Sequence, residues 1–445
     1  MRFEGKEQTM KTKLITRARM NSGFMLSALV ASALIAPCAA FGQELSGTGA
    51  ISISADLSRS DVAGSRVEPE FAPTPIVAGP LILSPSLSSA ISYDTNVFNR
   101  TEEQGDGVLY LVPRLIARAN TQRHLFQITA NGRIRRFAEY QTENSEEFEV
   151  GGEIRYDLSE RNSIFTQARY AHLIEQRSSV GTIANADEPV AYDRIDGELG
   201  TRLSFGSLNV TPSVRLARET YQDLDLTTGG AIDLSFRDLR SAGANLSVGY
   251  EFSPLVSVFT TLRYTDQNSI NPTANLRRAA QDYSVVGGIR GEITPLLVAE
   301  LSAGLRKRDY DEPEFRDFDG FTYGADVEWY PTQLLTFTLK ADQTFRNSAN
   351  PLVAGILSNR VTATGYYDVL RNLRISTAIG FESNDYRDLD TDATRASLQL
   401  QAQLQLNRNI SVGAFSSVSR QTVSGAALVQ PYTSFTTGIG ISLTP

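Results

Sequence analysis

The chain runs to 445 residues and carries 42 Lys/Arg against 50 Asp/Glu, a formal net charge of −8, with a single cysteine. An acidic balance without basic clusters leaves no nucleic-acid footprint, and a lone Cys38 excludes both a disulfide framework and a thiolate metal centre. The mean hydropathy of −0.20 excludes a bundle of membrane helices. It does not exclude a membrane barrel, whose strands alternate lipid-facing and water-facing side chains and average to a soluble value.

Residues 1–42 have the layout of a cleaved secretory signal. Lys11, Lys13, Arg17 and Arg19 form a positive head, Gly23 to Ala36 an apolar stretch, and Ala39, Ala40 and Gly42 supply small residues for cleavage. The apolar stretch is short for a spanning helix and is closed by Pro37. The same proline argues against lipidation at Cys38. Six Lys/Arg and two Asp/Glu fall in this segment, so cleavage leaves the exported chain at −12. Residues 43–80 are rich in Ser, Gly, Ala and Pro and read as a flexible periplasmic tether; a plug inside a barrel is the alternative.

From Leu81 the polarity alternates in segments of ten to fifteen residues. Leu335, Phe337, Leu339 and Ala341 point one way and Thr336, Thr338, Lys340 and Asp342 the other. Ala396, Leu398, Leu400, Ala402, Leu404 and Leu406 alternate with Ser397, Gln399, Gln401, Gln403 and Gln405. A period of two puts each set on one face of a strand. Such segments are long enough to cross a bilayer at a tilt of about 45°. Tight connections at 122–123, 159–162, 205–207, 253–254, 294–295, 331–332, 371–372 and 408–409 alternate with longer polar ones. The longer ones lie near 95–106, 139–145, 175–191, 219–236, 267–280, 308–320, 346–356, 385–393 and 420–430. Short periplasmic turns and long outer loops are the expectation for an outer-membrane barrel. Eight turns and nine loops predict an all-β, transmembrane antiparallel β-barrel of about eighteen strands over residues 81–445, with both ends periplasmic and an aqueous lumen. Aromatics near strand ends, such as Tyr93 and Phe98, Trp329 and Tyr330, or Tyr366 and Tyr367, suit interfacial girdles.

Several segments carry a family resemblance. Pro85-Ser86-Leu87 followed by Ser92-Tyr93-Asp94-Thr95-Asn96-Val97-Phe98 resembles the opening strand and loop of the outer-membrane β-barrel porins associated with exopolysaccharide and capsule gene clusters. Arg123-His124-Leu125, Asp157-Leu158-Ser159-Glu160-Arg161-Asn162, Ala191-Tyr192-Asp193-Arg194, Asp317-Phe318-Asp319-Gly320 and Leu370-Arg371-Asn372-Leu373 are similar too. The resemblance covers roughly residues 80–445. It implies an outer-membrane barrel that takes part in exopolysaccharide or capsule export. One departure stands out: the last strand ends Ile441-Ser442-Leu443-Thr444-Pro445, without the terminal aromatic that barrel assembly usually reads.

Catalytic chemistry is sparse. His124 falls at a periplasmic turn and His172 near the outer end of a strand, on the lipid-facing parity, where Ser178 or Ser179 are the nearest candidate nucleophiles. Both histidines read better as interfacial side chains. Asp223 and Asp225, or Asp385, Asp388, Asp390 and Asp392, are carboxylates of outer loops that read as solvated rather than as calcium ligands. No catalytic residue, metal site or cofactor is therefore expected. The informative chemistry is inward charge. Arg133, Arg135, Arg169, Arg215, Arg306, Lys340, Asp326, Glu328 and Asp342 share the lumen parity and are the candidate pore-lining residues. Both signs are present, so sequence parity assigns no selectivity.

These readings converge on a conduit in the bacterial outer membrane, exported through a cleaved signal peptide and serving exopolysaccharide or capsule export. A general diffusion porin for small solutes is the alternative; a barrel-scaffold enzyme or a purely structural barrel stands further off. The longest loops, near 175–191 and 219–236, are modest and favour a wide or externally partnered conduit. The implied partners are outer-membrane lipid, the barrel assembly machinery and a periplasmic polysaccharide-export protein; nucleic acid is not among them.

Overall fold

The computed structural model describes residues 62–179, 183, 186–271, 277–348, 350, 352–353, 355–425 and 429–445. The signal segment and the first part of the expected tether lie outside the described residues.

Eighteen long strands build the wall. They are β1 Leu81–Asp94, β2 Asp106–Asn120, β3 His124–Phe137, β4 Ser145–Asp157, β5 Ser163–Ile174, β6 Ala191–Phe205, β7 Leu208–Tyr221, β8 Leu239–Ser253 and β9 Val256–Ser269. The second half comprises β10 Ala280–Thr294, β11 Leu297–Tyr310, β12 Phe318–Thr332, β13 Leu335–Arg346, β14 Ile356–Leu370, β15 Leu373–Tyr386, β16 Thr391–Gln405, β17 Ile410–Gly425 and β18 Tyr432–Leu443. Each pairs antiparallel with its neighbours in sequence, and β18 returns to β1 through Leu87↔Leu443 to Asp94↔Thr436. Closure leaves the wall without an edge, which is how a sheet satisfies its backbone in hydrocarbon.

The seam is among the shorter of these pairings. It has eight residue pairs, against seven between β12 and β13 and fifteen between β16 and β17. The first residues of β1 pair instead with a short added strand, Ile76–Ala78, which folds back through Gly79.

Turn chemistry explains the register. At six of the eight periplasmic turns a Ser, Thr or Asn side-chain oxygen accepts a backbone N–H two or three residues on: Thr121, Ser159, Ser253, Thr294, Thr332 and Asn407. These side chains close the turn locally. Gly206 takes φ +68° at the Phe205-Gly206-Ser207 turn, a conformation other residues rarely hold. Irregularities at 251–253, 292–294, 329–332 and 368–370 sit at the periplasmic ends of β8, β10, β12 and β14. The barrel rim is where such bulges bend a strand at least cost.

The alternation seen in the sequence becomes two faces. Leu339, Leu400, Phe321, Trp329 and Ile379 are exposed on the outside, where lipid covers them. Their neighbours Lys340, Gln401, Asp326 and Gly380 point inward, so the two faces differ by one residue of parity.

Candidate functional site

The inner wall is organised around a few carboxylates that each gather several arginines. On β6, Asp196 is reached by Arg169 at 2.6 Å, Arg194 at 3.1 Å and Arg215 at 3.2 Å. On β15, Glu382 is reached by Arg395 at 2.6 Å, Arg360 at 3.3 Å and Arg346 at 3.5 Å. Asp282 on β10 holds Arg306 at 2.7 Å and Arg308 at 3.8 Å. Cross-strand register makes these clusters: Arg169 faces Asp196, Asp282 faces Arg308, and Glu382 lies between Arg360 and Arg395. Around Asp196 the arginines are offset by further carboxylates, Arg194 pairing with Glu219 at 3.0 Å and Arg169 with Glu149 at 3.5 Å, whereas around Glu382 the three arginines outnumber their shared carboxylate and leave positive charge at the wall.

Two chambers inside the barrel are lined by more arginines than carboxylates. One, of about 210 Å³, lies beside β6–β11; its lining contains six arginines, including Arg215 and Arg263, against Glu198, Glu219 and Asp282. The other, of about 500 Å³, lies beside β14–β18 and has six arginines, including Arg360 and Arg395, against Asp94, Glu143 and Glu382. Arg346 borders both chambers. Elsewhere on the inner wall the signs are closer to balance, as at Arg290 with Glu300 and Lys340 with Asp326, while further carboxylates crowd the outer loops around 309–319 and 385–392.

The outer end is drawn together by loop side chains. Between β5 and β6, Ser178 offers its carbonyl to Arg395 at 2.8 Å. Arg395 lies on β16, seven strands from β5 by the shorter way round, so this loop crosses the lumen. Loop length favoured a wide or externally partnered conduit, and this contact narrows the lumen where the loop crosses. Where a loop goes depends on its anchors, here Arg177 on Glu143 at 3.0 Å and Gln176 on Arg135. Beside it, Leu224, Leu234 and Phe236 pack on Tyr192 and Tyr221. Arg237 pairs with Glu175 at 3.0 Å and lies 3.8 Å over the Tyr221 ring.

Arg278 is wholly buried among these loops. It donates to the carbonyl of Ser348 and, at 2.7 Å, to that of Asn350, with its guanidinium over the Phe236 ring. Burial, reinforced by nearby Arg237, pushes the Arg278 guanidinium down to about 9. It still carries its proton at neutral pH.

The periplasmic end holds a different device. Residues 62–71 lie against the inner wall as a strap. Val62 packs on Val298 and Tyr330, and the amide of Ala63 donates to the carbonyl of Gln333 at 3.0 Å. Arg374 clasps the strap from β15, donating to the carbonyls of Gly64 at 3.0 Å and Arg66 at 2.9 Å while pairing with Asp368 at 2.7 Å. Gly64 has φ +95°, and a Cβ there would press the Tyr366 ring at 3.1 Å. Farther along, Arg408 donates to the carbonyl of Glu70 at 3.3 Å. Residues 62–80 belong to the segment expected from composition to be a tether, and these contacts run along the mouth from β11 to β17.

The candidate pore-lining residues fall as follows. Arg133 pairs with Glu147 at 2.9 Å, and Arg135 lies 3.9 Å from the same carboxylate. Arg169 and Arg215 share Asp196, and Arg306 holds Asp282. Lys340 and Asp326 pair at 3.2 Å across neighbouring strands and are among the wettest of the set. Glu328 accepts from the Tyr330 hydroxyl, and Asp342 stands opposite Arg360. They do not form one ring; Arg133, Arg135, Arg169 and Arg215 occupy a sector from β3 to β7. Arg194, Arg346, Arg360, Arg395 and Glu382 were missed. Parity alone, carried outward from Leu398 to Arg395 and from Ile379 to Glu382, places the last two inside.

His172 and its candidate partners Ser178 and Ser179 are not brought together. His172 faces outward, held by Asp193 at 2.9 Å and stacked on Phe148, while Ser178 and Ser179 line the inner chamber. The wall separates them. Asp223 and Asp388 accept backbone amides of Leu234 and Arg316, and among the described residues no three metal-binding side chains cluster.

Known proteins place this chain in a family by its sequence. The solved structures it resembles include three from Pseudomonas aeruginosa. The ferric enterobactin receptor PfeA is 7% identical over 81% of this chain and 80% of that one, with a TM-score of 0.43. The outer membrane protein OpdK is 10% identical over 82% and 99%, at 0.44, and OpdQ 11% over 85% and 100%, at 0.44. No curated protein matches the sequence. The family model described as "Putative beta-barrel porin 2" matches residues 68–441, the whole wall but its last strand residues. The chain belongs to that family of β-barrel porins of the outer membrane.

Proposed function

We propose that this porin is a passive channel for anionic solutes. The observation that carries the reading is the arginine excess in both lumen chambers, six guanidiniums against three carboxylates in each. Fixed positive charge in a narrow, low-dielectric passage raises the local concentration of counter-ions and lowers that of co-ions. The crossing loop and the strap narrow the passage, so much of its section lies within the roughly 8 Å reach of the wall's field at physiological salt. Nothing in this reading requires a nucleophile, a metal or a cofactor.

Export of an acidic polysaccharide is the second reading, and the same arginines favour it. An extended polyanion presents to the wall a string of the charges a small anion presents singly. A periplasmic export protein is its expected partner.

The test is reversal-potential measurement in planar bilayers. The wild type should prefer chloride over potassium, and Arg169→Glu with Arg215→Glu should reduce or invert that preference while His172→Ala leaves it alone. A cation-preferring wild type would sink the proposal. Loss of surface polymer in a deletion strain, with small-anion uptake intact, would move the assignment to the export reading.

A further inference from the structure

Two arginines on the outside of the barrel have no place in the lumen chemistry. Arg218 on β7 and Arg240 on β8 stand directly opposite one another in the ladder. Both have the outward parity of Leu216 and Leu246, and both are exposed. Side chains so placed have Cβ atoms about 4.5–5.5 Å apart, and like charges there destabilise a sheet unless an anion lies between them.

The neighbouring carboxylates do not offset both charges. Asp193, diagonal to Arg218, holds His172 at 2.9 Å and the Tyr170 hydroxyl at 3.0 Å. Asp266, diagonal to Arg240, accepts from Asn268 at 2.6 Å. Asp238, just before the outer end of β8, accepts the Tyr221 amide at 2.8 Å and lies within electrostatic reach of Arg218, one carboxylate for two guanidiniums. Among the described residues neither guanidinium has a hydrogen bond or an ion pair.

Their depth points to the ligand. Arg218 and Arg240 continue a cross-strand row from Tyr170 through Ile195 to Asn268. Tyr264 stands on the outward face opposite Ala244, four residues below Arg240, and packs against Tyr283. Such outward tyrosines mark the outer interface. Toward the membrane centre the wall is bare and apolar, with Leu216 66% and Val214 54% exposed. A ligand that fits has phosphate at the level of the arginines and acyl chains against Leu216 and Val214.

We propose that Arg218 and Arg240 form a binding site for the phosphate of a phosphorylated lipid headgroup in the outer leaflet. Guanidinium forks match phosphate oxygens bidentately, and two of them supply the charge and the geometry together. Free phosphate would satisfy the arginines but leave the apolar wall unused. The site rests on the family's outer-membrane placement, not on anion passage through the lumen.

The experiment uses the folded barrel in detergent micelles. Retention of a bisphosphorylated glycolipid is read by native mass spectrometry, against the same glycolipid without phosphates and against inorganic phosphate. The wild type should retain the phosphorylated lipid about tenfold or more over Arg218→Gln/Arg240→Gln. The dephosphorylated lipid should not distinguish the two proteins, and Arg218→Lys/Arg240→Lys should fall between. Heat-modifiability confirms that each variant is folded; the single Arg218→Gln variant stands in if the double one is not. Equal retention by wild type and glutamine variants overturns the site. Competition by inorganic phosphate that displaces the lipid at equal concentration overturns the choice of a lipid.

Discussion

The wall and the mouths of this barrel are held in different ways. The wall is redundant: every strand is paired along twelve to fifteen residues with at least one neighbour, and its faces are set by an alternation that tolerates many individual changes. The mouths are not. The outer one depends on loop side chains converging on Arg278, the inner one on Arg374 gripping a strap by its carbonyls. In the wall a backbone group finds its partner through the ladder. At the mouths irregular backbone has no ladder, so single guanidiniums supply donors to buried carbonyls. A wall therefore fails through gross violations of polarity, and a mouth through the loss of one side chain.

The largest effect belongs to the wall. Leu339→Arg puts a charge on the lipid face, at a cost of roughly 2–4 kcal/mol near mid-membrane. The expected result is loss of the heat-modifiable folded band, and normal assembly would break the assignment of faces.

Arg278→Ala comes next. It leaves the carbonyls of Ser348 and Asn350 without their donor, and each unsatisfied buried group costs about 1–3 kcal/mol. The wall should assemble normally while the outer loops become open to protease on intact cells. Protection equal to wild type would show that the aromatic cluster around Leu234 and Tyr221 holds the outer mouth without the arginine.

Arg374→Ala tests the inner mouth. Charge-assisted hydrogen bonds contribute roughly 1.5–3 kcal/mol, and this change removes those to Gly64 and Arg66. Single-channel conductance should rise and the 62–71 segment should become cleavable. Unchanged conductance would mean that Val62 on Val298 and Tyr330 suffices to seat the strap.

The smallest effect is expected from Gln401→Arg. Its parity is inward, so the new charge meets the aqueous chamber and assembly should match wild type. If this variant failed as Leu339→Arg does, the contrast between the two faces would collapse.

What could be read from the sequence follows the same division. Ala396 to Leu406 announces its strand and both its faces, because a period of two is a local property of eleven consecutive residues. The turn at Ser159 to Asn162 is equally local: one hydroxyl closes it. Eight turns and nine loops were therefore countable, and with them the strands. The arginine clusters were half legible. Parity puts Arg169 and Arg215 inside, but that both end on Asp196 follows from the registers of β5 with β6 and β6 with β7. The mouths were not legible at all. Nothing in Gln176-Arg177-Ser178 says that its carbonyl will meet Arg395, 217 residues away, and nothing in Val62 to Arg66 names Arg374 as its clasp. Sequence by itself determined the wall, because alternation and turn chemistry act between near neighbours. Only closure of the ring decided the lumen's charge and its two ends, since closure alone brings distant side chains within hydrogen-bonding reach.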